Sequence, residues 1–318
     1  REARERVGTN PLRCRADCPF FHSCAFQKQL GRRKDAQILV TNQAYLLANF
    51  LRQEKDKEET AEEVYLVLDE AHHLEDVATE ALTLALDHEE FTHRLNHLAH
   101  PSKNRGLLKD DERLKDLSEE ERSKVKEVVD QLLPRLRDAL QNYSLYLVKL
   151  IKNRASGDPR YSLTLGLSER WKQFEEWPYI NREEGVLIEA LKKLKEALKE
   201  IRNDRLVRDL EPIREYLQEA LDLLFERRRA LGLASEEADP NLLHLSEWDP
   251  LTDSWRHLAQ PIDVAQALKE GLWPRFKGVI LTSATLSVPT EKDAEGFGHI
   301  KRLLGLEEAR HRRLPPSL

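Results

Sequence analysis

Apolar residues in this chain fall into a few short runs and two long periodic stretches. Val64-Tyr65-Leu66-Val67-Leu68 is an unbroken apolar run rich in β-formers, which predicts a buried strand. Ile38 to Thr41 predicts a second buried strand, Gly278 to Leu281 a third, and Leu243 to Ser246 suggests another. Leu74 to Ala85 predicts a short helix, and Gln260 to Val264 opens one. From roughly 86 to 240 there is little strand signal. Ser118 and Glu121 form a capping box. The helix it opens has apolar residues at Val125, Val129, Leu132, Leu136, Leu140, Tyr143, Leu147 and Leu150, one buried stripe, with a kink predicted at Pro134. After a turn at Ser156 to Pro159, Leu187, Leu191, Leu194, Leu198 and Ile201 recur at steps of four and three. The register slips near Asn203-Asp204 and resumes at Leu206, Leu210, Ile213, Leu217 and Leu224, as in a bundle or coiled-coil seam. The fold class this implies is α/β, with a parallel sheet interrupted by a large all-helical insertion.

Composition narrows the class. The 318 residues suffice for two domains, and 40% hydrophobic with 34% charged residues describes a soluble, helix-rich protein. No apolar run approaches the roughly 18 to 20 residues of a membrane span, and no secretory signal opens the chain. Three cysteines are too few for a disulfide scaffold, so a cytoplasmic location is expected. Net charge is −6, against a wholly basic nucleic-acid binder, yet residues 1–35 hold nine basic and four acidic residues. That local excess of +5 suits either phosphate tracking or an ordinary solvated face. The chain begins with Arg1 and contains no Met, which reads as an internal piece of a longer protein or a processed start.

Candidate chemistry gathers at four places. Asp69 and Glu70 follow the first strand where it should end. Ligands of parallel sheets sit at carboxyl ends of strands. One carboxylate there can hold Mg²⁺ through its water shell beside a nucleotide phosphate, and the next can orient or deprotonate water. An acidic helix start would place carboxylates there equally well. Ser283 and Thr285 follow the strand at 278–281, where small hydroxyl residues can cap a turn. Cys14, Cys18 and Cys24 are spaced C-x3-C-x5-C beside Arg13, Arg15 and His22. Positive neighbours favour the metal-binding thiolate. A closed site takes four ligands: His22 would complete a zinc site, and an upstream cysteine a [4Fe-4S] cluster; on spacing alone three inert thiols are the alternative. Asn42 and Gln43 end the second strand, their amides placed to meet a ligand or a nucleic-acid backbone; a helix cap at Asn42 is the alternative, and the two are compatible. Trp171, Trp177, Tyr179, Trp248 and Trp255 are core anchors or base-stacking platforms.

Asp69-Glu70-Ala71-His72 and Ser283-Ala284-Thr285, in this order, resemble the second and third motifs of DEAH-type helicases. Together with the cysteine run and Gln260-Pro261-Ile262-Asp263-Val264, the chain resembles the DinG/XPD branch of superfamily 2, an iron–sulfur DNA helicase family. The resemblance implies a RecA-like motor domain interrupted by an arch-like helical insertion. Its organisation here would be 1–36 as an incomplete iron–sulfur module, 37–85 as motor with the acidic motif, 86–242 as the insertion and 243–318 as motor with the hydroxyl motif. It further implies an ATP-dependent 5′ to 3′ helicase acting on single-stranded or forked DNA in repair or replication. Asp69 would hold Mg²⁺, Glu70 would activate water, and His72, Ser283 and Thr285 would transmit the nucleotide state. Asn42 and Gln43 would meet nucleic acid, and Cys14, Cys18 and Cys24 would hold a [4Fe-4S] cluster. Gln43 departs from the His common in the family.

No G-x-x-x-x-G-K-[ST] loop occurs anywhere in the chain. The family places that loop upstream of the cysteines and its last, arginine-bearing motif in a second motor domain. Without those Lys and Arg clamps the chain by itself is expected neither to hydrolyse ATP nor to unwind DNA. A different class stays open: a non-catalytic helical module, stabilised by zinc or a cluster, that binds single-stranded DNA or a partner protein.

Overall fold

The computed structural model describes residues 23–25, 28, 31–32, 36–50, 61–289 and 293–312, which fall into two units, Arg1–Leu46 and Leu47–Leu318. Asn42, a residue of the first unit, stands immediately before helix α1 (Gln43–Phe50), and its Oδ1 accepts the Tyr45 N–H at 2.8 Å. The strand expected at Ile38 to Thr41 is not formed: Ile38 and Val40 are 83% and 90% exposed. A strand of a parallel sheet is buried only between neighbours, and among the described residues none pairs with this segment.

The second unit contains, in order, β1 (Ala61–Leu68), α2 (Leu74–Leu82), β2 (Leu84–Asp87), α3 (His88–Leu98), α4 (Glu119–Glu127), α5 (Leu133–Arg154), β3 (Leu163–Gly166), α6 (Trp177–Glu200), α7 (Asp204–Ala230), β4 (Leu242–Asp249), β5 (Ser254–Pro261), α8 (Ala265–Gly271), β6 (Phe276–Leu281) and α9 (Gly298–Leu303). The fold is mixed α/β. β1 and β6 form a parallel pair with Tyr65 to Leu68 opposite Gly278 to Leu281. Gly278 lies under the Tyr65 ring, whose Cδ1 would come within 3.0 Å of any added Cβ. The apolar run of β1 predicts full burial, yet only Leu68 is buried and Tyr65 is 65% exposed. Full burial needs covering elements on both faces, and among the described residues this sheet has two strands.

Everything between β1 and β6 in sequence runs out through the helices and a second sheet. That sheet is antiparallel, in the order β2-β5-β4-β3. β3 is a four-residue strand inside the stretch that shows little strand signal, too short to establish an alternation of its own. One large core joins this sheet to the helices, with Leu86, Leu163, Trp248 and Trp255 packed among Tyr143, Leu187, Leu217 and their neighbours. Trp171, Trp177, Trp248 and Trp255 are all buried; of the five aromatic residues singled out above, Tyr179 is exposed. A second set of buried residues, including Leu68, Ala71, Leu74, Ala78, Leu268 and Leu304, lies outside that core.

The helical periodicities are realised with two local departures. α4 and α5 are joined by a π turn, Val128–Leu132, just ahead of Pro134. A widened turn takes up the register where proline removes a donor and crowds the preceding carbonyl. The slip near Asn203 is a helix break: α6 ends at Glu200, and the Asn203 side chain accepts from the Arg205 and Leu206 amides to start α7. Among the described residues no helix is long and apolar enough to cross a membrane.

The Ser118–Glu121 capping box is formed in both directions. Glu121 also accepts the Arg202 N–H at 3.0 Å, tying the start of α4 to the α6–α7 connection. S118A is expected to cost about 1 kcal/mol. E121A removes both the box and the tie, so it is expected to cost more. Urea denaturation of the two variants would measure both.

Candidate active site at the paired strand ends

The parallel register of β1 and β6 continues past both strands. The Thr282 N–H donates to the Leu68 carbonyl at 2.8 Å, and the Ala71 N–H donates to the Thr282 carbonyl at 3.0 Å. The acidic and hydroxyl segments therefore leave one edge side by side. Between the two backbone bonds the chain turns sharply, because Glu70 adopts the left-handed conformation, φ 51° and ψ 43°. A non-glycine residue there costs about 1–2 kcal/mol, and such strain clusters at functional sites. The turn brings the Glu70 and His72 side chains together, with Glu70 Oε2 3.2 Å from His72 Nδ1.

The hydroxyls meet these side chains in two groups. Thr282 Oγ1 donates to Asp69 Oδ1 at 2.7 Å. Ser283 Oγ lies 2.7 Å from His72 Nδ1 and donates to Glu70 Oε2 at 3.4 Å. Thr285 joins through Ser283, its N–H donating to Ser283 Oγ at 3.2 Å and its own hydroxyl 3.4 Å away. Glu70, His72, Ser283 and Thr285 thus form one hydrogen-bonded group, and Asp69 with Thr282 forms a second beside it. The His72 and His73 rings lie 3.8 Å apart, so His73 flanks the first. Asp69 and Glu70 are both exposed. Adjacent exposed carboxylates at the carboxyl end of a parallel strand suit a hard cation such as Mg²⁺, which takes oxygen ligands and keeps much of its water.

Residues 13–91 match the DEAD_2 family model. That match points to a DEAD/DEAH-type helicase family member, an enzyme of the helicase or ATPase kind, and nucleic-acid binding is consistent with it. The matched DEAD_2 segment contains Asp69, Glu70 and His72; Ser283 and Thr285 lie beyond it and are brought to it by β6. No curated protein matches the chain.

The remaining candidates stand apart from this group in sequence. Asn42 caps α1 and Gln43 is its first residue. Cys24 is a half-buried free thiol, while Cys14, Cys18 and His22 lie outside the described residues. Thr282 is the residue that sequence reading passed over. Its signal was its place directly before Ser283, but only the strand register reveals that it faces Asp69.

Proposed function

We propose that this chain is part of a DinG/XPD-like, ATP-dependent 5′ to 3′ DNA helicase with a RecA-like motor domain and an arch-like insertion. The carrying observation is the hydrogen-bonded contact of Asp69, Glu70 and His72 with Thr282 and Ser283 across two parallel strand ends. In this reading Asp69 holds Mg²⁺ through its water shell, and the ion offsets phosphate charge when bound. Glu70 orients the attacking water and takes its proton. His72, held by Ser283, relays the nucleotide state to β6, where Thr285 is the next link. Asn42 and Gln43 face the nucleic-acid backbone, and Cys14, Cys18 and Cys24 contribute to a [4Fe-4S] cluster. The phosphate clamps come from segments other than this chain, whose sequence contains no G-x-x-x-x-G-K-[ST] loop.

Two measurements test the reading. In a protein where this chain is joined to a phosphate-binding loop and a second motor domain, D69N combined with E70Q is expected to lower DNA-stimulated ATP turnover by about 10²–10⁴-fold. DNA binding should be largely retained. Persistence of turnover in that variant would refute the site assignment. Iron, sulfide and visible absorption after anaerobic preparation test the cluster, since bound zinc without a chromophore would favour the non-catalytic module.

A further inference from the structure

We infer that Thr282 is a positioning residue for Asp69, its hydroxyl setting the orientation in which the carboxylate receives a divalent cation. The inference rests on the reading of Asp69 as the metal-holding carboxylate and adds a residue to that site.

Three bonds carry it. The Thr282 backbone is tied to Leu68 on one side of Asp69 and to Ala71 on the other. The third, the 2.7 Å bond from Thr282 Oγ1 to Asp69 Oδ1, therefore starts from a donor that cannot drift relative to the Asp69 backbone. Asp69 is exposed, and an exposed aspartate samples several rotamers in water. A charge-assisted bond from a fixed donor selects one of them. The single hydroxyl proton occupies one of about four lone-pair positions on the carboxylate, so orientation is imposed without removing its capacity to accept. Threonine suits this task because its β-branch stiffens χ1.

The neighbouring hydroxyl has a different assignment. Ser283 is engaged with His72 and Glu70, so the two consecutive hydroxyls address different parts of the acidic turn. Thr282 sets the carboxylate, and Ser283 holds the histidine. Hydrogen-bond partners of metal-binding carboxylates typically change metal affinity by 10- to 100-fold when removed.

The test uses Mn²⁺ as the probe, titrated into the intact chain and its variants. Binding is read by water-proton relaxation and by paramagnetic broadening of the amide signals of residues 69–71. T282V keeps the shape and loses the hydroxyl; its half-saturation is expected to rise at least about tenfold. T282S keeps the hydroxyl and is expected to stay within about threefold of wild type. D69N should abolish the local broadening. Unchanged Mn²⁺ affinity in T282V, with D69N losing the broadening, overturns the role of Thr282 alone. If D69N also leaves the titration unchanged, the reading of Asp69 fails, and this inference with it. Should T282V lower the melting temperature by more than a few degrees, T282A removes the hydroxyl without adding an apolar group in its place and is read by the same criteria.

Discussion

Truncation of Glu184 to alanine is expected to destabilise the protein by about 3–5 kcal/mol, the range for removing one partner of a buried ion pair. Glu184 is fully buried on α6. Its Oε1 accepts from Arg227 Nε of α7 at 2.8 Å, and its Oε2 from Arg228 at 3.3 Å. Tyr143 of α5 approaches the same carboxylate at 3.4 Å. Arg227 is itself 1% exposed, lies over the Trp171 ring at 4.8 Å, and reaches Ser246 of β4. With Glu184 gone, that buried guanidinium keeps its charge without its partner carboxylate. The loss comes from the stranded cation more than from the missing contact. E184L with R227M is therefore expected to recover most of the stability, since an apolar pair of similar volume carries no desolvation cost. Urea denaturation of the single and double variants measures the difference; a single variant that unfolds at the wild-type midpoint would contradict the account.

Acid is expected to weaken the fold from just below pH 6.5, well before the carboxylates titrate. His257 of β5 is 1% exposed, with Tyr143 OH 2.6 Å from Nε2 and Ser246 Oγ 2.8 Å from Nδ1. Burial, reinforced by the nearby Arg227 charge, holds its pKa well below 6.5. Burial lowers His244 and His88 too, against the pull of Glu226 on the first and Asp87 on the second. Above pH 6.5 these histidines are neutral folded or unfolded, and stability does not depend on them. Below 6.5 the unfolded chain takes up protons that the folded protein refuses. Each such proton costs about 1.4 kcal/mol per pH unit until the folded pKa is reached.

A second loss belongs to carboxylates held below their usual range. Burial alone would raise Glu226, but the Asp239 N–H and Arg229 outweigh it; Glu121 is lowered chiefly by the Ser118 N–H. Their contribution is present above about pH 4.5 and disappears as pH falls through the folded pKa. Denaturation midpoints between about pH 8 and 2 check the order of these two phases. H257Q should flatten the slope between pH 6.5 and 5. An unaltered slope in that variant would remove His257 from the account.

Much of the local structure was readable from residue pattern. The Ser118–Glu121 cap, the stripes of α5, α6 and α7, the strand ending at Leu68 and the strand ending at Leu281 all follow from nearest neighbours and periodicity. Ile38 to Val40 shows the limit of the same rule, since an apolar run says that a segment would favour burial, not that a partner is present. The charges at Glu184 and Arg227 show another limit. On an isolated helix they read as solvent-facing, and only the packing of α5, α6, α7 and the antiparallel sheet encloses them.

For the candidate site the division follows from chain distance. Sequence alone named Asp69, Glu70, His72, Ser283 and Thr285, because each motif is short and its chemistry is local. The tertiary structure decided that the two segments touch, 213 residues apart between Asp69 and Thr282, and which hydroxyl faces which partner. It placed Glu70 in a left-handed turn and gave Thr282 a partner. Such pairings depend on strand register, which is set by long-range hydrogen bonding and packing. No window of neighbouring residues contains that information.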